Sequence, residues 1–136
     1  MAAGDILKEA GLIIEEFDVK ANEDIEKGEI VVNDGNGILA ATTSHLGPYF
    51  MALKAHTYAS ETTHKVRCVV AGYVEVQKKA NGATKKGQYC EISATAGEVT
   101  VFDYTTPGLF SDIVGVCASD AAATDTTMKI LLGHWP

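Results

Sequence analysis

Apolar residues come along this chain in short runs, each broken after a few positions by turn-forming residues. Ile30 to Val32 is followed by Asp34-Gly35-Asn36-Gly37 and then by Ile38 to Ala41, a hairpin signature, because Asp-Gly and Asn-Gly supply the positive φ of a tight turn. Further runs lie at Tyr49 to Ala55, Val66 to Val76, Tyr89 to Ile92, Val99 to Phe102, Ile113 to Ala118 and Met128 to Leu132. Strand candidates therefore recur roughly every 8 to 14 residues, the spacing of a small sandwich or barrel. Near the start, Leu12, Ile13, Ile14, Phe17 and Val19 form an extended apolar segment that also carries Glu15, Glu16 and Asp18. It reads as a first strand or as a docking arm, with residues 2–10 as a short helical turn or loose lead-in.

In the longest run, the two-residue period places Val66, Cys68, Val70, Val74 and Val76 on one face, which predicts core. Arg67, Glu75 and Gln77 share the other face with Val69, Ala71 and Tyr73, so another segment or another subunit is expected to cover part of it. Gly72 in the middle predicts a bend or bulge.

The halves of the chain resemble each other. Ser60-Glu61-Thr62-Thr63-His64-Lys65-Val66 matches Thr124-Asp125-Thr126-Thr127-Met128-Lys129-Ile130, and Lys27-Gly28 before Ile30 matches Lys86-Gly87 before Tyr89. Two copies of one β-unit, about residues 25–76 and 84–133, would close around a single core, since half of a chain this short is too small to be stable alone. The expected fold is an all-β, single-domain barrel or sandwich with an internal duplication. Residues 1–24 form its acidic N-terminal arm or first strand, and residues 25–136 the barrel.

Composition narrows the function. A chain of 136 residues has room for one ordinary core, and 46% hydrophobic residues is a globular value. The net charge of −7 is lopsided: residues 1–35 hold ten acids against three lysines, whereas residues 36–136 hold eight acids and eight bases. Arg67 is the only arginine. Nucleic acid is not an expected partner, because backbone binding needs clustered Lys and Arg. The first residues lack a basic flank followed by an apolar stretch, and no apolar run is long enough to span a bilayer as a helix, so synthesis in the cytosol and no membrane partner are expected.

Candidate chemistry is sparse. Cys68, Cys90 and Cys117 are odd in number, widely spaced and set in apolar runs, which predicts buried free thiols. His45, His56, His64 and His134 have no local motif that orders a nucleophile or a metal, and His56 and His64, with Glu61 between them, read as a solvated loop. Neither catalysis nor a cofactor or metal is expected. Gly35-Asn36-Gly37 is turn chemistry rather than a phosphate loop, since no Lys-Ser/Thr pair follows. Lys78, Lys79, Lys85 and Lys86 bracket a polar stretch and read as a basic turn, either a solubilising tip or a contact for an acidic patch such as the arm of a neighbouring copy. Tyr49 and Phe50 after Gly47-Pro48, and the terminal Trp135, are candidate interface anchors.

Taken together, Lys-Gly-Glu-Ile-Val-Val-Asn-Asp-Gly at 27–35, Gly-Tyr-Val-Glu-Val at 72–76, Lys-Gly-Gln-Tyr at 86–89, Ala96-Gly97-Glu98-Val99, Val114-Gly115-Val116-Cys117-Ala118 and Thr126-Thr127-Met128-Lys129-Ile130-Leu131-Leu132 resemble the small capsid decoration, or cement, proteins of tailed bacterial and archaeal viruses. The resemblance covers about residues 25–133. It implies a compact β-barrel, often a homotrimer, that binds the outer surface of the virion and reinforces contacts between major capsid protein subunits. On that reading Ile13, Ile14 and Phe17 would supply apolar burial at the interface, and Glu15, Glu16 and Asp18 would meet basic groups of the shell. The competing expectation is a β-module that binds a small molecule or carbohydrate in a concave pocket.

Overall fold

The computed structural model describes residues 2–103 and 112–133. Nine strands make up the chain: β1 (Ile6–Asp18), β2 (Ile30–Asn33), β3 (Ile38–Ala40), β4 (Phe50–Ala52), β5 (Lys65–Gln77), β6 (Tyr89–Ile92), β7 (Val99–Val101), β8 (Ile113–Cys117) and β9 (Thr127–Leu132). Among the described residues the other regular element is one 3-10 turn, Tyr58–Ser60. All nine strands belong to one curled antiparallel sheet, a half-barrel, in the order β3-β2-β4-β5-β9-β8-β6-β7 with β1 paired to β5. The fold is thus all-β and single-domain.

The segment left open between arm and strand is β1, which runs antiparallel to β5 from Ile6 opposite Val74 to Asp18 opposite Lys65. It begins well before Leu12 because backbone hydrogen bonds tie its lead-in to β5: Gly4 N–H donates to the Glu75 carbonyl at 2.7 Å and Glu75 N–H to the Asp5 carbonyl at 2.9 Å. The register slips between Lys8 and Ile14, opposite Gly72, whose φ is +147°. A glycine is suited to this bulge because it tolerates that φ without a Cβ clash.

Two apolar clusters form the core. One collects Val19, Ile25, Val31, Ile38, Phe50, Ala52, Val66 and Cys68. The other joins Ile30, Val32, Met51 and Val69 to Val74, Val76, Cys90, Ile92, Val99, Cys117, Met128, Ile130 and Leu132. Consecutive residues of β2 and β4 therefore point into different clusters, which explains the unbroken apolar runs Ile-Val-Val and Phe-Met-Ala: both faces of these strands are buried. In β9 only Met128, Ile130 and Leu132 are buried, and the sequence alternates accordingly. Within β5, the residues expected on one inward face are divided: Val66 and Cys68 are buried in the first cluster with Val70 half-buried against it, whereas Val74 and Val76 are buried in the second cluster together with Val69 of the face expected to point outward, because the bulge at Gly72 interrupts the alternation.

The second half repeats the pairing of the first. β2 pairs with β3 and β4, and β4 with β5; likewise β6 pairs with β7 and β8, and β8 with β9. The parallel bridge Val19↔Ile38 recurs as Lys78↔Val99, and the antiparallel bridge Ile25↔His56 as Thr84↔Ala121. Gly28 N–H bonds the Ala52 carbonyl and Gly87 N–H the Cys117 carbonyl, both at 2.8 Å. Both glycines sit at positive φ, +86° and +92°, where an L side chain is strained, which accounts for the repeated Lys-Gly pair.

The repeat unit begins earlier than residue 25. β1 and β5 are each 13 residues long, and the pairs Phe17↔Val66 and Asp18↔Lys65 recur as Val76↔Met128 and Gln77↔Thr127. The pairing therefore sets Lys65 and Val66 against Thr127 and Met128, two residues earlier than the Lys129 and Ile130 with which the local sequence match aligns them. β5 thus ends one unit and opens the next. A single strand shared by two units displaces any boundary drawn from local similarity alone.

Candidate interaction surfaces

β1 splits its residues between core and surface. Phe17 stacks on Phe50 with ring centroids 4.6 Å apart, and Ile14 packs, half-buried, against the larger cluster. Ile13 is 50% exposed, and Glu15, Glu16 and Asp18 are exposed beside it. Asp18 accepts a hydrogen bond from Lys65 Nζ at 2.6 Å, and Glu16 lies opposite Arg67 in register.

Tyr49 and Phe50 are not surface anchors. They are 0% and 8% exposed, drawn inward because Phe50 pairs with Val31 in a strand buried on both faces. Burial, followed by the charge of Asp112, pushes the Tyr49 hydroxyl up to about 12. Trp135 lies outside the described residues, as does His134.

The basic turn expected from Lys78 to Lys86 does not assemble either. Lys78 follows β5 into the interior, is 2% exposed, and donates from Nζ to the Lys79 carbonyl at 2.9 Å. Burial pushes its ammonium below the ordinary lysine value. Lys79 Nζ donates to Thr95 Oγ1, and Lys85 pairs with Asp120 at 3.5 Å. In the first half the position of Lys78 is taken by Val19, so a charge occupies what the fold builds as an apolar site. Lys78→Met should therefore raise stability by about 1–3 kcal/mol at neutral pH, since a hydrated cation in the unfolded chain would no longer be dehydrated on folding. The folded state holds the Lys78 proton less tightly than the unfolded state does. Its cost is thus full at neutral pH and fades as pH rises toward 10.5, and the gain in urea midpoint for Lys78→Met should shrink over that window.

Lys86 instead joins two lysines distant in sequence. Lys8, Lys86 and Lys129 surround a groove of about 420 Å³ whose apolar lining includes Leu7, Tyr73, Val116 and Leu131. Lys8 Nζ lies 4.5 Å from the centroid of the Tyr73 ring.

The loop carrying His56 and His64 is not simply solvated. The Ile25↔His56 bridge draws His56 to 1% exposure. Its Nε2 lies 2.9 Å from His64 Nδ1 and its Nδ1 3.3 Å from Glu61 Oε2, while the Tyr58 ring stacks on His64 at 3.7 Å. This chain of carboxylate and two imidazoles pins the loop to the end of the first core. Among the described residues no group of three or more His, Cys, Asp or Glu side chains is placed to hold a metal ion.

All three cysteines are buried free thiols. Burial pushes Cys68 up to about 12. The interaction between Cys90 and Cys117 raises the first thiol and lowers the second.

The surface thus offers two contrasting features on a rigid sheet, an acidic strand with one exposed isoleucine and a lysine-rimmed apolar groove. No family model and no curated protein matches the chain.

Proposed function

We propose that this chain is a structural decoration protein that binds the outside of a viral capsid and reinforces contacts between major capsid protein subunits, as copies set around local threefold axes. The observation that carries the reading is the exposed surface of β1, where Ile13 stands 50% exposed and Glu15, Glu16 and Asp18 are exposed along the same strand, which is pinned to β5. Such a surface offers apolar burial with charge along the strand, on a scaffold that loses little freedom when it docks. Many copies on a symmetric shell then turn a modest contact into stable attachment.

The test is mass spectrometry of density-gradient-purified particles from the source, followed by rebinding of the purified chain to stripped particles. A copy number comparable to the major capsid protein is expected, and Ile13→Asp should weaken rebinding by about tenfold or more. Absence of the chain from the particles would reject the proposal. The competing reading, a small-molecule or carbohydrate-binding module, is favoured by the groove between Leu7 and Leu131 and would be supported by a ligand-dependent rise in Tm without any shell present.

A further inference from the structure

Across three adjacent strands the floor of the groove is a row in direct register: Tyr73 of β5 faces Leu131 of β9, and Leu131 faces Val116 of β8. All three are half-buried. The internal duplication relates this row to Ile14, Val69 and Met51, aligned the same way across β1, β5 and β4. There Val69 and Met51 are fully buried and Ile14 packs against their cluster, which draws residues from both halves of the chain. One apolar face therefore occurs twice in the fold, covered by protein in the first half and open to solvent in the second. The open copy is a concavity of about 420 Å³, the size of a small-ligand cleft, whereas a stable protein contact covers a face of roughly 800 Å² on each partner.

Charge decides what else such a ligand must carry. Among the described residues the lining holds Lys8, Lys86 and Lys129 and no acidic side chain. None of the three forms an ion pair with a described residue, whereas Lys20, Lys65 and Lys85 each pair with an aspartate. The carboxylates nearby are directed elsewhere. Asp120 accepts from the Lys86 backbone N–H at 2.9 Å and pairs with Lys85 at 3.5 Å, and Glu75, opposite Lys129 in register, lines a separate polar cavity with Asp125 and Thr127. The Lys8 ammonium lies 4.5 Å from the centroid of the Tyr73 ring, so a full positive charge stands over the apolar floor itself. An anionic group seated there meets that charge where apolar side chains displace water, and the attraction exceeds that in open solvent.

We infer that the groove binds a small amphipathic anion, a single apolar chain ending in an anionic head such as a carboxylate. The chain lies on Tyr73, Leu131 and Val116, and the head among Lys8, Lys86 and Lys129. Such binding rests on the small-molecule reading above, of which it names the ligand class, and needs no shell.

The experiment is isothermal titration calorimetry and thermal melting of the full chain with decanoate, decan-1-ol and decyltrimethylammonium, each monomeric in solution, and with vesicles of anionic phospholipid. Decanoate should raise Tm in step with its concentration and bind about tenfold or more tightly than the alcohol or the cation of the same length, less so as salt rises. In nuclear magnetic resonance spectra it should move the signals of Tyr73, Val116 and Leu131. Lys8→Glu with Lys86→Glu, both exposed side chains, should weaken decanoate about tenfold or more and leave the Tm of the free protein nearly unchanged. Equal binding of decanoate and decan-1-ol would keep a small-molecule module yet overturn the choice of an anion. A charge-reversed variant that binds decanoate like wild type, or signals that move only outside the groove, would overturn the site. Failure of all three compounds to bind would reject the small-molecule reading as well, and binding to vesicles alone would make the groove a membrane contact instead.

Discussion

Deleting residues 1–19 is expected to leave a chain that does not fold, seen as loss of the strand signal in far-ultraviolet circular dichroism and of any cooperative melt. The deletion removes Leu12, Ile14, Phe17 and Val19 from the two cores and strips β5 of its pairing from Lys65 to Val74. At about 1.5–3 kcal/mol for a fully buried apolar side chain and about half that for the half-buried Leu12, Ile14 and Phe17, the four together supply roughly 4–8 kcal/mol, a large part of the stability of an ordinary domain. The unpaired edge of β5 adds to the loss and invites aggregation. A deletion product that melts cooperatively near the wild-type Tm would show instead that β1 is dispensable and serves as a detachable arm. Ile13→Asp separates folding from docking, because that side chain is half in solvent and its loss should leave Tm nearly unchanged.

The second large effect is alkaline. Cys68 and Tyr49, both 0% exposed, are pushed up to about 12 from ordinary values of 9.0 and 10.0. Burial is the leading cause for each, because ionisation would put an anion where water cannot reach it. The folded state holds these protons more tightly than the unfolded state does. Their stabilisation is therefore fully present below pH 9 and is lost as pH rises through about 12. At 1.36 kcal/mol for each unit, Cys68 accounts for about 4 kcal/mol of that loss and Tyr49 for about 3 kcal/mol. Urea midpoints measured from pH 7 to 11 should stay level to about pH 9 and then fall steeply, and Cys68→Ala, though less stable at neutral pH, should show a shallower fall. Equal slopes for the two proteins would mean that the Cys68 thiol ionises in the folded state as it does in water. Lys78 works in the opposite direction over part of this range, so the Lys78→Met background should make the fall steeper.

Much of the strand pattern was legible before any coordinates. β6 coincides with the run Tyr89 to Ile92, and the hairpin of β2 and β3 lies on either side of Asp34-Gly35-Asn36-Gly37. The alternation of Val66, Cys68, Val70, Val74 and Val76 marked four of the buried positions of β5, though Val70 is half-buried and the bulge at Gly72 sends the two ends of that row into different clusters. These features depend on residues within a few positions of one another: a strand's side chains must alternate, and a tight turn must tolerate positive φ, whatever else surrounds them. The Lys-Gly pair at 27–28 and 86–87 was readable for the same reason, though the extent of the duplication was not, because β5 belongs to both units.

The candidate surfaces were much less legible. Tyr49 and Phe50 have the composition of interface anchors, and only the pairing of β4 between β2 and β5 decides that they are core. Four lysines near one turn looked like a basic patch, yet the turn sends Lys78 inward and engages Lys79 and Lys85, while Lys8 and Lys129 arrive from opposite ends of the chain to join Lys86. By itself the sequence determined where strands and turns form, which face of a strand is apolar, and where the acid excess lies. The tertiary structure alone decided which apolar face is covered and by what, because burial and charge pairing are set by which distant strands become neighbours, and local alternation carries no information about that.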